Sequence, residues 1–175
     1  MAIRTFDGHD PAVGPGAYID DAAVVIGRVI VGADASIWPS AVLRGDSDLI
    51  RVGDQTNIQD GVVVHVDAGV PCSIGARVTV GHRAVIHGCV IDDEVLIGMG
   101  AIVMNHATIG SGSIVGAGAV VTERTRIPAG SLVLGTPGRV VRPTTAAERD
   151  SIRASAAHYV GAGSRYGAQP PAGRP

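Results

Sequence analysis

Apolar and polar residues alternate along this chain with a period of six. Stepping from Val13, β-branched residues or Leu fall at Val13, Ile19, Val25, Val31, Ile37 and Leu43. After a nine-residue step the series resumes at Val52, Ile58 and Val64, and after a ten-residue step at Ile74, Val80 and Ile86. A five-residue step opens the longest run, Ile91, Ile97, Val103, Ile109, Val115, Val121, Ile127 and Val133. Six is neither the 3.6 of a helix nor the 2 of a flat strand. It fits short strands joined by turns, each sending one side chain into a shared core. Three hexads close a triangular coil, and stacked coils pair as neighbouring strands do. The pattern predicts an all-β solenoid, a parallel β-helix over residues 13–140. About seven coils at roughly 4.8 Å each would stand about 33 Å tall.

The ends break the period. Residues 1–12 form a separate N-terminal segment in this reading. After Pro143, the stretch TTAAERDSIRASAAHYV places Thr145 three residues before Glu148, a capping-box signature opening an Ala-rich helix. The C-terminal helix is expected over residues 141–160, packed along the prism. Residues 161–175, rich in Gly and Pro, read as a disordered tail.

Composition narrows the class. The 175 residues include one Phe, one Trp and three Tyr, so the core must be built from Val, Ile, Leu and Ala. A formal charge of −2, with no basic block, argues against nucleic acid as a partner. No apolar run reaches the roughly 20 residues that span a bilayer, and no secretory h-region is visible, so a cytoplasmic protein without a membrane partner is expected. Cys72 and Cys89 make no disulfide framework; they read as a loop filler and a turn residue.

The period also assigns faces. With Val52, Ile58 and Val64 opening faces one, two and three, His65 and His87 occupy the same place on face three of consecutive coils. His82 falls on face two and points elsewhere. In a cyclic trimer, face three of one subunit meets face two of the next. His65 and His87 would then be joined by His82 of the neighbour, a three-imidazole set with one open position, as in catalytic zinc sites. Arg44 lies in the face-three column beneath His65, and Asp60 in the face-two column beneath His82, so this pair would approach across the same interface.

The segments WPSAVLRGDSDLIRVGDQTNIQDGVVVHV and IGARVTVGHRAVIHGCVI resemble the γ-class carbonic anhydrase family of hexapeptide-repeat proteins, over roughly residues 10–160. The resemblance implies a left-handed β-helix and a homotrimer with a metal site at each interface. The positions matching the zinc ligands are His65, His82 and His87. Arg44 and Asp60 match an intersubunit ion pair, and Asp46 another acidic residue of that interface. Gln59 matches a residue that orients metal-bound solvent, Asn57 lies in the same segment, and Tyr159 resembles a tyrosine reaching toward the metal. Two departures stand out: Ser47 occupies the place of a glutamate, and Asp67 is the sole acid of a short loop where relatives carry several acids implicated in proton shuttling.

The implied activity is zinc-dependent reversible hydration of CO2 to bicarbonate, with Fe2+ and Co2+ also compatible with imidazole donors. Two other classes stay open. One is coenzyme A-linked acyl transfer or thioester hydrolysis on the same fold, with His106 as candidate base. The other is an inactive zinc-bound trimeric scaffold. His9, His106 and His158 otherwise read as surface residues.

Overall fold

The computed structural model describes residues 2–169. Its body is a solenoid of short parallel strands, most of them two or three residues long. All twenty positions of the six-residue series fall into three vertical columns. On face two, Ile19, Ile37, Ile58, Val80, Ile97, Val115 and Val133 pair rung to rung. On face three, Val25, Leu43, Val64, Ile86, Val103 and Val121 do the same. Val13, Val31, Val52, Ile74, Ile91, Ile109 and Ile127 form face one. Apart from the terminal rungs, these side chains are buried in one continuous core. The hexad repeat is thus a left-handed β-helix of about seven turns with one C-terminal helix.

Glycine after the column residue has a steric cause. A Cβ built on Gly53 would lie 2.5 Å from the carbonyl carbon of Gly75 on the next coil. The corner therefore closes only without a side chain.

The irregular steps are local loops. Strand Val24–Val31 pairs with Val42–Val52, but the register runs from Gly27↔Gly45 directly to Val29↔Ile50. Residues 46–48 are the three extra residues of the nine-residue step, and they project from the prism. The ten-residue step holds a tight turn in which the N–H of Val70 donates to the carbonyl of Asp67 (3.0 Å).

Three expected boundaries are corrected. Residues 2–4 are not a separate segment: Ala2–Arg4 pairs in parallel with Val24–Ile26, covering backbone groups that the strand would otherwise leave open. At the other end, Ser131–Leu134 pairs antiparallel with Arg139–Pro143, so the solenoid closes on a return strand past residue 140. The helix runs Ala146–Gly167, opening after the expected 141, which lies in the return strand, and ending beyond the expected 160. Its last turns dock rather than fray, because small residues there allow close packing: a Cβ on Gly163 would lie 3.2 Å from the Cβ of Tyr18. Of the expected tail, residues 170–175 lie outside the described residues.

The helix opens as its sequence predicts. Thr145 Oγ1 accepts from the Glu148 N–H (3.2 Å), and the Glu148 carboxylate accepts from the Thr145 N–H (2.8 Å). It covers the lower half of face two, the rungs of Tyr18, Ser36, Asn57 and Thr79, where Tyr18, Trp38, Tyr159 and Tyr166 form one aromatic cluster with ring centroids 5.1–5.9 Å apart. Among the described residues no helix is long and apolar enough to cross a membrane.

Candidate metal site

Strand register brings two imidazoles together. Arg44, His65 and His87 stand at the same position on three successive rungs of face three. The Nδ1 of His65 and the Nε2 of His87 lie 3.0 Å apart. The projecting loop at residues 46–48 carries Asp46 back over this column, where its Oδ1 lies 3.0 Å from His65 Nε2 and its other oxygen pairs with Arg44. On the far side, the Oδ1 of Asn105 meets His87 Nδ1.

His82 is on face two, as the column arithmetic places it, with its Nδ1 3.0 Å from Asp60 Oδ2. On the rung below, next to Asp60, Gln59 is nearly fully buried and donates from Nε2 to Asn57 Oδ1 (3.0 Å). Asn57 is wholly buried and donates to Thr79 Oγ1 (2.9 Å) and the Val78 carbonyl (3.3 Å). Asn57, expected among the catalytic residues, therefore offers nothing to a substrate; it holds Gln59. Gln59, His82 and Tyr159 line one cleft of about 470 Å³ between face two and the helix, walled by Leu96, Met99 and Ile114.

These contacts fix the imidazole tautomers. Carboxylate and amide oxygens only accept, so His65 donates from Nε2 to Asp46, His87 from Nδ1 to Asn105, and His82 from Nδ1 to Asp60. Each ring is left with one lone-pair nitrogen. On face three the two lone pairs face each other, an arrangement that only a shared proton or a cation satisfies. Nitrogens held at 2.0–2.1 Å from one ion can be at most about 4.2 Å apart, so the observed separation fits a first-row divalent ion. Acceptors behind each ring are the usual support for metal-ligating histidine.

Electrostatics agree with this division of labour. Burial pushes the Asp46 carboxyl up, but hydrogen bonds from Arg44 and His65 outweigh it and hold the group below its ordinary value. Burial, and then the nearby Asp60 charge, raise the Tyr159 phenol, so it stays protonated at neutral pH and can donate a hydrogen bond into the cleft.

Within one chain the three histidines do not converge: His65 and His87 share a face and His82 looks away. Nor do Arg44 and Asp60 pair within the chain, since Arg44 binds Asp46 and Asp60 binds His82. Ser47 lies 3.4 Å from Asp46 and supplies no second acid. His106 is exposed at a corner, φ 61°, with no side-chain hydrogen bond among the described residues. Cys72 and Cys89 are core residues stacked on adjacent rungs, not loop fillers. Asn105 was missed by sequence reasoning: the five-residue step makes this coil 17 residues long, Ile86 to Val103, so Asn105 falls one position beyond the residue stacked over His87.

A triangular stack of six-residue rungs carrying a two-faced histidine set places the chain among hexapeptide-repeat proteins. A family model described as bacterial transferase hexapeptide (six repeats) matches residues 88–123. The chain is 51% identical over 138 residues to a Methanocaldococcus jannaschii protein named "Probable carbonic anhydrase", covering 79% of this chain and 87% of that one. It is 41% identical over 164 residues to a Geobacillus kaustophilus protein named "Carbonic anhydrase", covering 94% and 90%. A solved hexapeptide transferase family protein from Anaplasma phagocytophilum superposes with a TM-score of 0.91 at 38% identity, over 94% of this chain and 98% of that one. The chain belongs to the γ-class carbonic anhydrase-like family of hexapeptide-repeat proteins.

Proposed function

We propose that the protein is a cytoplasmic homotrimeric metalloenzyme that interconverts CO2 and bicarbonate at its subunit interfaces. His65 and His87 of one protomer and His82 of the next would hold the metal, zinc or another imidazole-binding ion such as Fe2+ or Co2+. The observation that carries this reading is the tautomer pattern: on both faces an acceptor ties up one imidazole nitrogen and leaves the other bare. A bound zinc ion supplies Lewis acidity, lowering the pKa of water to about 7. The chain's own residues would do the rest. Gln59, clamped by Asn57, presents its amide to the cleft and orients the oxygen that attacks CO2. Tyr159 donates to a product oxygen, and the apolar wall of Leu96, Met99 and Ile114 suits an uncharged substrate.

The outer surface supports the trimer. Val24, Val42, Val63, Val85, Ile102 and Val120 point outward from successive rungs of face three, an unbroken apolar stripe beside the histidines. Face two offers a matching patch beyond the rungs the helix covers, at Leu96, Ile114 and Leu132.

Metal content and CO2 hydration, measured with and without a chelator on freshly purified protein, test the proposal. Activity that tracks stoichiometric metal supports it. A metal-loaded trimer without CO2 hydration would leave the scaffold reading in its place. His82→Ala should lower metal affinity at least tenfold and weaken the trimer together, read by chelator competition and light scattering; a stable, fully loaded trimer would contradict the shared site.

Acyl transfer or thioester hydrolysis is a second reading, favoured by the transferase name of the Anaplasma relative and by the apolar cleft. No base serves it: His106 sits alone at its corner. A thioester-hydrolysis panel tests it.

A further inference from the structure

Beside the two face-three imidazoles stands a carboxylate that neither the ion-pair columns nor the histidine pattern uses. The donor atoms of Asp67, His65 and His87 all lie within 4.8 Å of one another. Asp67 is exposed, yet it is held: the Nδ2 of Asn105 donates to its Oδ2 at 2.8 Å, while the Oδ1 of the same amide accepts from His87. Asn105 thus does two tasks with one planar group. It sets the His87 tautomer and tethers a carboxylate beside the imidazole pair.

The surroundings are built around this amide. Gly88 turns the corner next to His87 with φ +49°, and a Cβ there would lie 2.7 Å from Asn105 Oδ1 and 2.6 Å from Val70. Any side chain at position 88 would press on both the Asn105 amide and the Val70 side chain of the loop that carries Asp67. The loop in turn is pinned by its own Asp67–Val70 backbone pair.

We propose that Asp67 is a further metal donor, positioned by Asn105, so that one protomer presents two imidazoles and one carboxylate to the ion. The inference rests on the metal reading above and deepens it. Charge supports it: two neutral imidazoles leave a divalent ion uncompensated, and a carboxylate on the adjoining exposed loop, its donor within 4.8 Å of theirs, offsets that charge once the loop draws in. Two imidazoles and a carboxylate are a donor set that first-row divalent ions accept. With the neighbour's His82 the shell would count four protein donors, and Asp67, on the exposed loop, is the one free to yield its place to substrate or water.

Asp67→Asn is the discriminating variant. Its side-chain oxygen still accepts from Asn105 Nδ2, so the loop strap survives while the anionic donor is lost. Zinc and cobalt affinities would be measured by chelator competition, with the visible spectrum of the cobalt-loaded protein as a second readout. Asp67→Asn should lose affinity at least tenfold and shift the cobalt bands. Asn105→Ala should lose 10- to 100-fold, the range for groups that orient metal ligands. Thermal stability of the metal-free protein reports on folding separately. Wild-type affinity and an unchanged cobalt spectrum in Asp67→Asn would overturn the inference and leave the three-histidine reading standing. A wild-type protein that binds neither ion would overturn both.

Discussion

Asn57 and Gln59 stand two positions apart and divide one task. The Asn57 amide is enclosed, bonded to the rung above and to Gln59, whereas Gln59 spends one N–H on Asn57 and turns the rest of its amide toward the cleft. Removing each should therefore cost different things. Gln59→Ala is expected to lower kcat/KM for CO2 hydration at least tenfold with metal content nearly unchanged and a smaller loss of stability, since it strands only the Asn57 Oδ1 acceptor. Asn57→Ala strands buried partners and should cost about 1–3 kcal/mol of stability, with a loss of activity that follows from a mobile Gln59. Stopped-flow assays beside urea denaturation separate the two outcomes. The family resemblance marked Gln59, whereas the column arithmetic found the histidines, because each follows an apolar column residue by one or two positions. It could not find Asn105, whose role comes from a corner that shortens one step from six residues to five.

Rungs and helix differ in what holds them. Each rung is too short to be stable alone and exists through the coils above and below it, whereas the helix begins with its own signal. The Thr145–Glu148 box is extended by Arg142, which grips the same carboxylate with two nitrogens (2.7 and 2.8 Å). Hydrogen bonds from Arg142 and then from the Thr145 backbone hold the Glu148 carboxyl at about 2, below its ordinary 4.5. A depressed folded value means the interaction is fully present above pH 4.5 and fades as pH falls toward about 2. Glu148→Gln should accordingly flatten the acid limb of thermal stability between pH 4.5 and 2 while changing little at pH 7, as read by circular dichroism. The start of this element was legible in the sequence, but its end was not. Gly161 and Gly163 fell in the stretch read as a disordered tail, yet Gly163 is buried against Tyr18, a contact 145 residues away (163 − 18 = 145) that no local pattern encodes.

At the scale of the whole molecule, the period of six dictated nearly everything: three columns, their register, and the separation of His82 from His65 and His87. The meeting of faces lies outside a single chain: in the proposed trimer the residue that completes the site comes from another copy. The apolar stripe of face three makes that meeting testable without touching a ligand. Ile102→Asp places a charge outward, clear of the core and one rung beyond His87. It should convert trimers to monomers by light scattering and, because His82 can no longer arrive, lower metal content in parallel. A trimer with full metal would mean that another surface joins the subunits.

The return strand Arg139–Pro143 has a bearing on how long this object can grow. A stack of parallel rungs has no intrinsic length, since its final layer is a template for another. Here the last layer is met by a strand running the opposite way, fully exposed, bearing two arginines and ending in a proline that has no N–H to offer. The chain thereby writes its own terminus: a fold built on the same geometry as a fibril is kept finite by five residues laid across its end.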